Sequence, residues 1–204
     1  MYFFNNLLYN KHIRLLGDLI LKNKKHIYIV LTQTGTIISR LIKLYTKDPY
    51  NHVAITDDET LCQMYSFCRR YLRFPLPGGF VTESINKGIF KLYNNIPCEI
   101  YRFEVTDEQY SQYKLIINHF CKNSSFYTYN ILGLLTIPLG IRFQRSKHFV
   151  CSQFVAYILQ TCKIANFKED ISLIKPDNFR LIENATLEYS GNIHNFLTSF
   201  PTTA

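Results

Sequence analysis

A cysteine at the start of an apolar helical stretch is the feature of this chain best suited to chemistry. In HFVCSQFVAYIL, residues 148–159, the apolar side chains recur at helical spacing and Cys151 begins that stripe. A thiol at a helix N-terminus lies beside unpaired backbone N–H groups, which stabilise a thiolate and can hold an oxyanion. A small cysteine packed into the core would give the same pattern. The stretch alone therefore leaves a nucleophile and a structural thiol both open.

A cysteine nucleophile needs a base and a third group that orients the base. His52 is the favoured base because it opens the strand HVAIT directly after the turn KDPYN, where an imidazole can stand at the edge of a core. If Asp57 and Asp58 form a two-residue hairpin turn, His52 lies opposite Gln63. The amide oxygen of Gln63 could then accept from a ring N–H and fix the tautomer. The other histidines are His12, His26, His119, His148 and His194.

The elements that must position these residues are short strands and amphipathic helices, partly segregated along the chain. This order predicts an α+β domain in which an antiparallel sheet packs against helices. TDEQ, residues 106–109, is a capping box that should open a helix with Tyr110, Tyr113, Ile117 and Phe120 facing inward. The predicted strands are 26–33, 52–56, 61–67, 88–93, 99–105 and 187–191, and a further helix is predicted near 36–45.

Composition describes one globular domain of 204 residues with a formal net charge of +8. The charge suits an anionic partner, but no nucleic-acid-binding motif is present, so no nucleic acid is expected. The six cysteines include no C-x-x-C pair and no zinc-site spacing, which predicts neither a metal nor another cofactor. The first twenty residues do not have the pattern of a secretory leader. Reduced thiols in a cytoplasmic protein are therefore expected.

Two apolar segments bear on membrane contact. ILGLLTIPLGI, residues 131–141, is too short to span a bilayer, so we expect a buried helix that ends at Pro138. Residues 1–25 place leucines on one helical face and carry more Lys and Arg than acidic residues. They predict a basic amphipathic helix that precedes the domain 26–204 and either packs on it or contacts an anionic membrane weakly.

The order of the chemical segments resembles the permuted papain-like hydrolases of the NlpC-like, YiiX-type group. YNHVAI, LCQMYSF and FVCSQFVAYIL follow one another as that family's histidine strand, returning strand and cysteine helix, the reverse of the usual order in the superfamily. The resemblance covers about residues 27–162, and KPDNFR is similar to the segment after the helix. It implies a circularly permuted papain-like fold with Cys151 as nucleophile, His52 as base and Gln63 as the residue that orients His52. Many relatives carry Glu or His where Gln63 stands.

The resemblance also bears on the substrate side of the site. SFYTYN is similar to the family's tyrosine element, which implies that Tyr127 lies beside the nucleophile. The loop after the Gln63 strand carries Arg69, Arg70 and Arg73, which could form a substrate wall that prefers anionic groups.

The expected function is hydrolysis of an amide, ester or thioester in a peptide or acyl-lipid substrate through an acyl-enzyme. Lecithin–retinol acyltransferase-like enzymes share the permuted core, so acyl transfer stays open. The alternative from another class is a non-catalytic basic module that binds an anionic membrane surface.

Overall fold

The computed structural model describes residues 24–34, 48–71 and 77–199 of the chain. The strands are β1 (Lys25–Thr32), β2 (His52–Thr56), β3 (Met64–Arg69), β4 (Gly78–Glu83), β5 (Pro97–Val105), β6 (Thr128–Tyr129), β7 (His148–Phe149) and β8 (Thr186–Asn192). The α-helices are α1 (Gly88–Leu92), α2 (Asp107–Lys122), α3 (Ile131–Thr136) and α4 (Cys151–Thr161). Short 3₁₀ helices occupy Ser124–Phe126, Ile137–Leu139, Ile171–Leu173, Pro176–Leu181, Ile193–Asn195 and Leu197–Ser199.

The eight described strands form one mixed sheet in the order β7-β6-β4-β3-β2-β1-β5-β8. Every pairing is antiparallel except the parallel pair β6–β7 at the edge. Helices pack against this sheet, so the predicted α+β class is confirmed. The helix predicted near 36–45 and most of the N-terminal segment 1–25 lie outside the described residues. Lys25, the last residue of that segment, is the first residue of β1.

The main core lies between the sheet and the helices α2 and α4. The buried residues of α2 are Tyr113, Ile117 and Phe120, and the capping box predicted at its start is present. Rings from β3, β4 and both helices meet in an aromatic cluster that includes Phe67, Phe80, Phe120, Phe149 and Phe154. A second buried cluster covers the opposite face and includes Val30, Met64, Phe90, Ile100 and Phe196. The sheet is therefore apolar on both faces, and α4 packs directly on β2 and β3.

GIFKLY and residues 131–141 differ from their predicted structures. GIFKLY was predicted as a strand, yet Gly88–Leu92 is a helix whose buried residue is Phe90. Residues 131–141 were predicted as a buried helix, yet Leu132 and Leu135 are more than half exposed, although α3 does end where Pro138 enters a 3₁₀ turn. In residues 131–141 the apolar composition predicted burial, but four of the aliphatic side chains remain more than half exposed.

The approach of β6 to β4 depends on a glycine. A Cβ atom at Gly79 would lie 2.5 Å from the carbonyl oxygen of Tyr127 and 2.7 Å from Nη2 of Arg70. Gly79 pairs with Thr128, and the Arg70 guanidinium donates to the carbonyls of Ser124 and Tyr127 at 2.7 and 2.9 Å. The backbone oxygen cannot move without disturbing this pairing.

Gly79→Ala is therefore expected to lower the free energy of unfolding by about 2–3 kcal/mol, the usual cost of forcing extra volume into a packed site. Urea unfolding measures it. Gly140→Ala is the matched control, because Gly140 has a φ of +66° but no atom within 4 Å of its Cβ position. It should lose only about 1 kcal/mol through backbone strain. Equal losses for the two variants would contradict the close approach.

Candidate functional site

Cys151 is the first residue of α4, and its side chain is buried at the sheet. The residue before the helix, Val150, offers no side-chain cap, and the first intrahelical bond runs from the N–H of Phe154 to the carbonyl of Val150. The N–H groups of the first helical turn therefore have no acceptor inside α4, and Cys151 is the first residue of that turn. Unpaired N–H groups at a helix start favour negative charge, so an oxyanion bound beside Cys151 could accept hydrogen bonds from them.

His52 lies within hydrogen-bonding reach of the Cys151 thiol and is itself buried. It opens β2, where it is paired with Thr32 of β1. Its Nε2 forms a 2.8 Å hydrogen bond with Oε2 of Glu83. Burial alone would lower the pKa of His52, but the charge of Glu83 and the hydrogen bonds with Cys151 and Glu83 outweigh it and raise that pKa to about 10. The ring is therefore held in its protonated form beside the thiol.

Glu83, the last residue of β4, was not identified from the sequence. Its side chain is 13% exposed and that of His52 is 9% exposed, so the ion pair is largely removed from water. Cys68 donates a longer hydrogen bond, 3.6 Å, from its sulfur to Oε1 of the same carboxylate. One signal in the sequence could have found Glu83, because it is the lone acidic residue between Glu59 and Glu99. A single carboxylate in an apolar strand needs a partner.

The structure does not bring Gln63 to His52. Gln63 is exposed, its side chain hydrogen bonds with Tyr65, and its backbone carbonyl accepts from Thr56 at 2.6 Å. The hairpin is longer than a two-residue turn: Ile55 pairs with Tyr65, and continuing that antiparallel register sets His52 across from Cys68. The position that Gln63 was expected to fill is therefore occupied by Glu83.

Two tyrosines of SFYTYN have different environments. Tyr129 is the one near Cys151: burial, and then electrostatic interaction with Cys151 and Cys68, raise its pKa well above the ordinary value. Tyr127 lies instead in a groove of about 650 Å³ between α2 and α4, where its hydroxyl contacts Nε2 of His119 at 3.0 Å. The hydroxyl of Tyr129 is thus the phenol that can act at Cys151.

The three arginines of the predicted substrate wall also differ. Arg70 donates hydrogen bonds to the carbonyl groups of Ser124 and Tyr127. Arg69 lines a small pocket of about 190 Å³ together with Cys68 and Glu83, and its buried Nε has no hydrogen-bond partner among the described residues. Arg73 lies outside the described residues. Arg70 lines the same pocket, so of the two described arginines Arg69 is distinguished by its unpaired Nε and not by its position.

Comparison with protein-family models, curated proteins and solved structures finds no match to this chain. All six cysteines are free thiols. Over residues 24–34, 48–71 and 77–199, no group of three or more His, Cys, Asp and Glu side chains is arranged to hold a metal ion. In the same residues no helix combines the length and the apolar character needed to cross a membrane.

Proposed function

We propose that the protein is a cysteine hydrolase of permuted papain-like fold that cleaves an amide, ester or thioester through an acyl-enzyme on Cys151. One observation supports this most strongly: a buried imidazole bonded to a carboxylate lies within hydrogen-bonding reach of a thiol at a helix N-terminus. A core cysteine needs no such partners, whereas a nucleophile needs a base and a group that orients it.

The proposed reaction begins with the thiolate of Cys151 attacking the carbonyl carbon. The oxygen of the tetrahedral intermediate accepts hydrogen bonds from the backbone N–H groups at the start of α4, with the hydroxyl of Tyr129 as a further donor. Glu83 engages Nε2 of His52, which leaves Nδ1 for the reacting groups. The imidazolium gives its proton to the leaving group as the carbon–leaving-group bond breaks, and a thioester with Cys151 remains.

Water completes the cycle. Neutral His52 takes a proton from a water molecule, whose oxygen attacks the thioester, and release of the carboxylic acid restores the thiolate and the imidazolium. If an alcohol or an amine attacks in place of water, the same site performs acyl transfer. Because the pKa of His52 is raised to about 10, the proton donor is retained below that pH and lost above it, so turnover should fall as the pH passes about 10.

The acyl-enzyme is the direct test. Incubation with activated short-chain esters and thioesters, followed by intact-mass and peptide mass spectrometry, should find one acyl group per chain, attached to Cys151. Cys151→Ala should carry none, and Cys62→Ala, which removes an exposed thiol, should acylate like the parent. Added hydroxylamine should shorten the lifetime of the adduct. Acylation that persists in Cys151→Ala would refute the proposed nucleophile.

A further inference from the structure

Residues 131–141 expose an unusual amount of apolar surface, and we call this segment the apolar tip. Leu132, Leu135, Leu139 and Ile141 are 53%, 58%, 70% and 51% exposed. Gly140 lies among them with no atom within 4 Å of its Cβ position, so open space borders the segment. A contiguous group of large, exposed aliphatic side chains indicates a surface that another apolar phase covers.

Hydrogen bonds at the two ends of the apolar tip hold it in place. The side chain of the buried residue Asn130 accepts from the N–H of Gly133 at 3.0 Å and donates to the carbonyl of Phe143 at 3.3 Å. One amide thus bonds the chain on both sides of the tip. The segment also leaves the sheet at β6 and returns to it at β7. Its leucines are therefore presented by a fixed structure.

The segment after the apolar tip carries more cations than acids. Arg142, Arg145 and Lys147 are exposed, and none of them forms an ion pair within the described residues. The chain has no acidic residue between Glu108 and Glu169, although this stretch carries seven Lys and Arg. Asp170 borders the segment, and its pKa is lowered by hydrogen bonds with Ser172 and, more weakly, by Arg142.

We propose that the apolar tip inserts into the interface of an anionic lipid membrane while Arg142, Arg145 and Lys147 contact the headgroups. Aliphatic side chains beside cations that form no ion pair fit this interface. The side chains enter the outer part of the acyl layer, and the cations contact the lipid phosphates. A protein partner with one matching patch would have to supply both an apolar pocket and an acidic rim, which a membrane provides everywhere. The proposal does not depend on catalysis by Cys151.

The chain contains no tryptophan, so one indole can report on the tip. Leu139→Trp in the full-length chain places it at the most exposed leucine of the segment. With vesicles of phosphatidylcholine containing about one third phosphatidylglycerol, the emission should shift to the blue and brominated lipid should quench it. Pure phosphatidylcholine vesicles should give at least a tenfold weaker response.

A matched pair of double variants separates insertion from charge. Leu132→Asp with Leu135→Asp should weaken vesicle binding at least tenfold. Leu92→Asp with Leu181→Asp makes the same change of charge at leucines that are 65% and 77% exposed elsewhere, and it should bind within about threefold of the parent.

Other occupants of the tip would give different results. Vesicle binding without a shift of the reporter emission would mean that residues 1–25 or another basic surface tether the chain, and it would overturn the proposal. A blue shift that grows with protein concentration in the absence of lipid would assign the tip to a second copy and overturn it equally. The response should persist in a variant that also carries Cys151→Ala, so failure of the proposed hydrolysis and failure of membrane insertion are distinguishable.

Discussion

At pH 6, iodoacetamide is expected to label Cys151 before the other five thiols, and His52→Ala should remove that preference. An ordinary thiol with a pKa near 8.5 is only about 0.3% ionised at pH 6. The Cys151 sulfur has the imidazolium of His52 and the start of α4 beside it, and both favour reaction of a thiol at low pH. Because a stabilised thiolate is also a weaker nucleophile, the expected loss of rate in His52→Ala is ~30- to 100-fold.

Peptide mass spectrometry of timed samples measures each thiol separately, so the other cysteines are internal controls. Burial raises the pKa of Cys98 to about 12 and that of Cys162 to about 11, and it raises the pKa of Cys68 well above the ordinary value. These three should stay unlabelled at pH 6. Cys62 is exposed and tests whether access alone decides the rate. If Cys62 is modified before Cys151, or if His52→Ala leaves the rate at Cys151 unchanged, the thiolate–imidazolium pair is disproved.

The sequence patterns that predicted elements correctly are those in which residues close in the chain determine the structure by themselves. TDEQ specifies the start of α2 because Thr106 and Gln109 satisfy each other's backbone groups, which needs no distant contact. The stripe that begins at Cys151 is buried as predicted because α4 has an apolar face of its own. In contrast, the exposure of the leucines in residues 131–141 depends on which elements pack nearby.

Some residues of the candidate site could likewise be predicted from local patterns, and others could not. Cys151 and His52 could be proposed because each stands at the start of an element that the sequence marks. Glu83 could not be deduced from hairpin spacing, because it comes from β4, on the far side of β3 from His52. The expected contact of Gln63 depended on a turn length, and a change in that length changes every pair in the hairpin. Long-range pairing is therefore the information that the local pattern lacked.

Replacing Glu83 by glutamine should slow the reaction of Cys151 with iodoacetamide at pH 6 by ~10- to 100-fold. Glutamine has nearly the same shape and can still accept from Nε2 of His52, but it carries no charge. The charge of Glu83 is the largest influence that raises the pKa of His52 against the effect of burial. Without it, the pKa of His52 falls and the imidazolium no longer stabilises the thiolate at low pH.

Gln63→Leu is the matched control because it removes an amide of similar size from the position first expected to orient His52. Gln63 is exposed and contacts Tyr65, so the alkylation profile of Cys151 against pH should stay within about twofold of the parent. Circular dichroism and urea unfolding of both variants would show that the fold is retained. If Gln63→Leu slows the reaction while Glu83→Gln does not, Gln63 is the residue that orients His52, and the role assigned to Glu83 is wrong. Equal, unchanged profiles would mean that His52 acts on Cys151 without a third group.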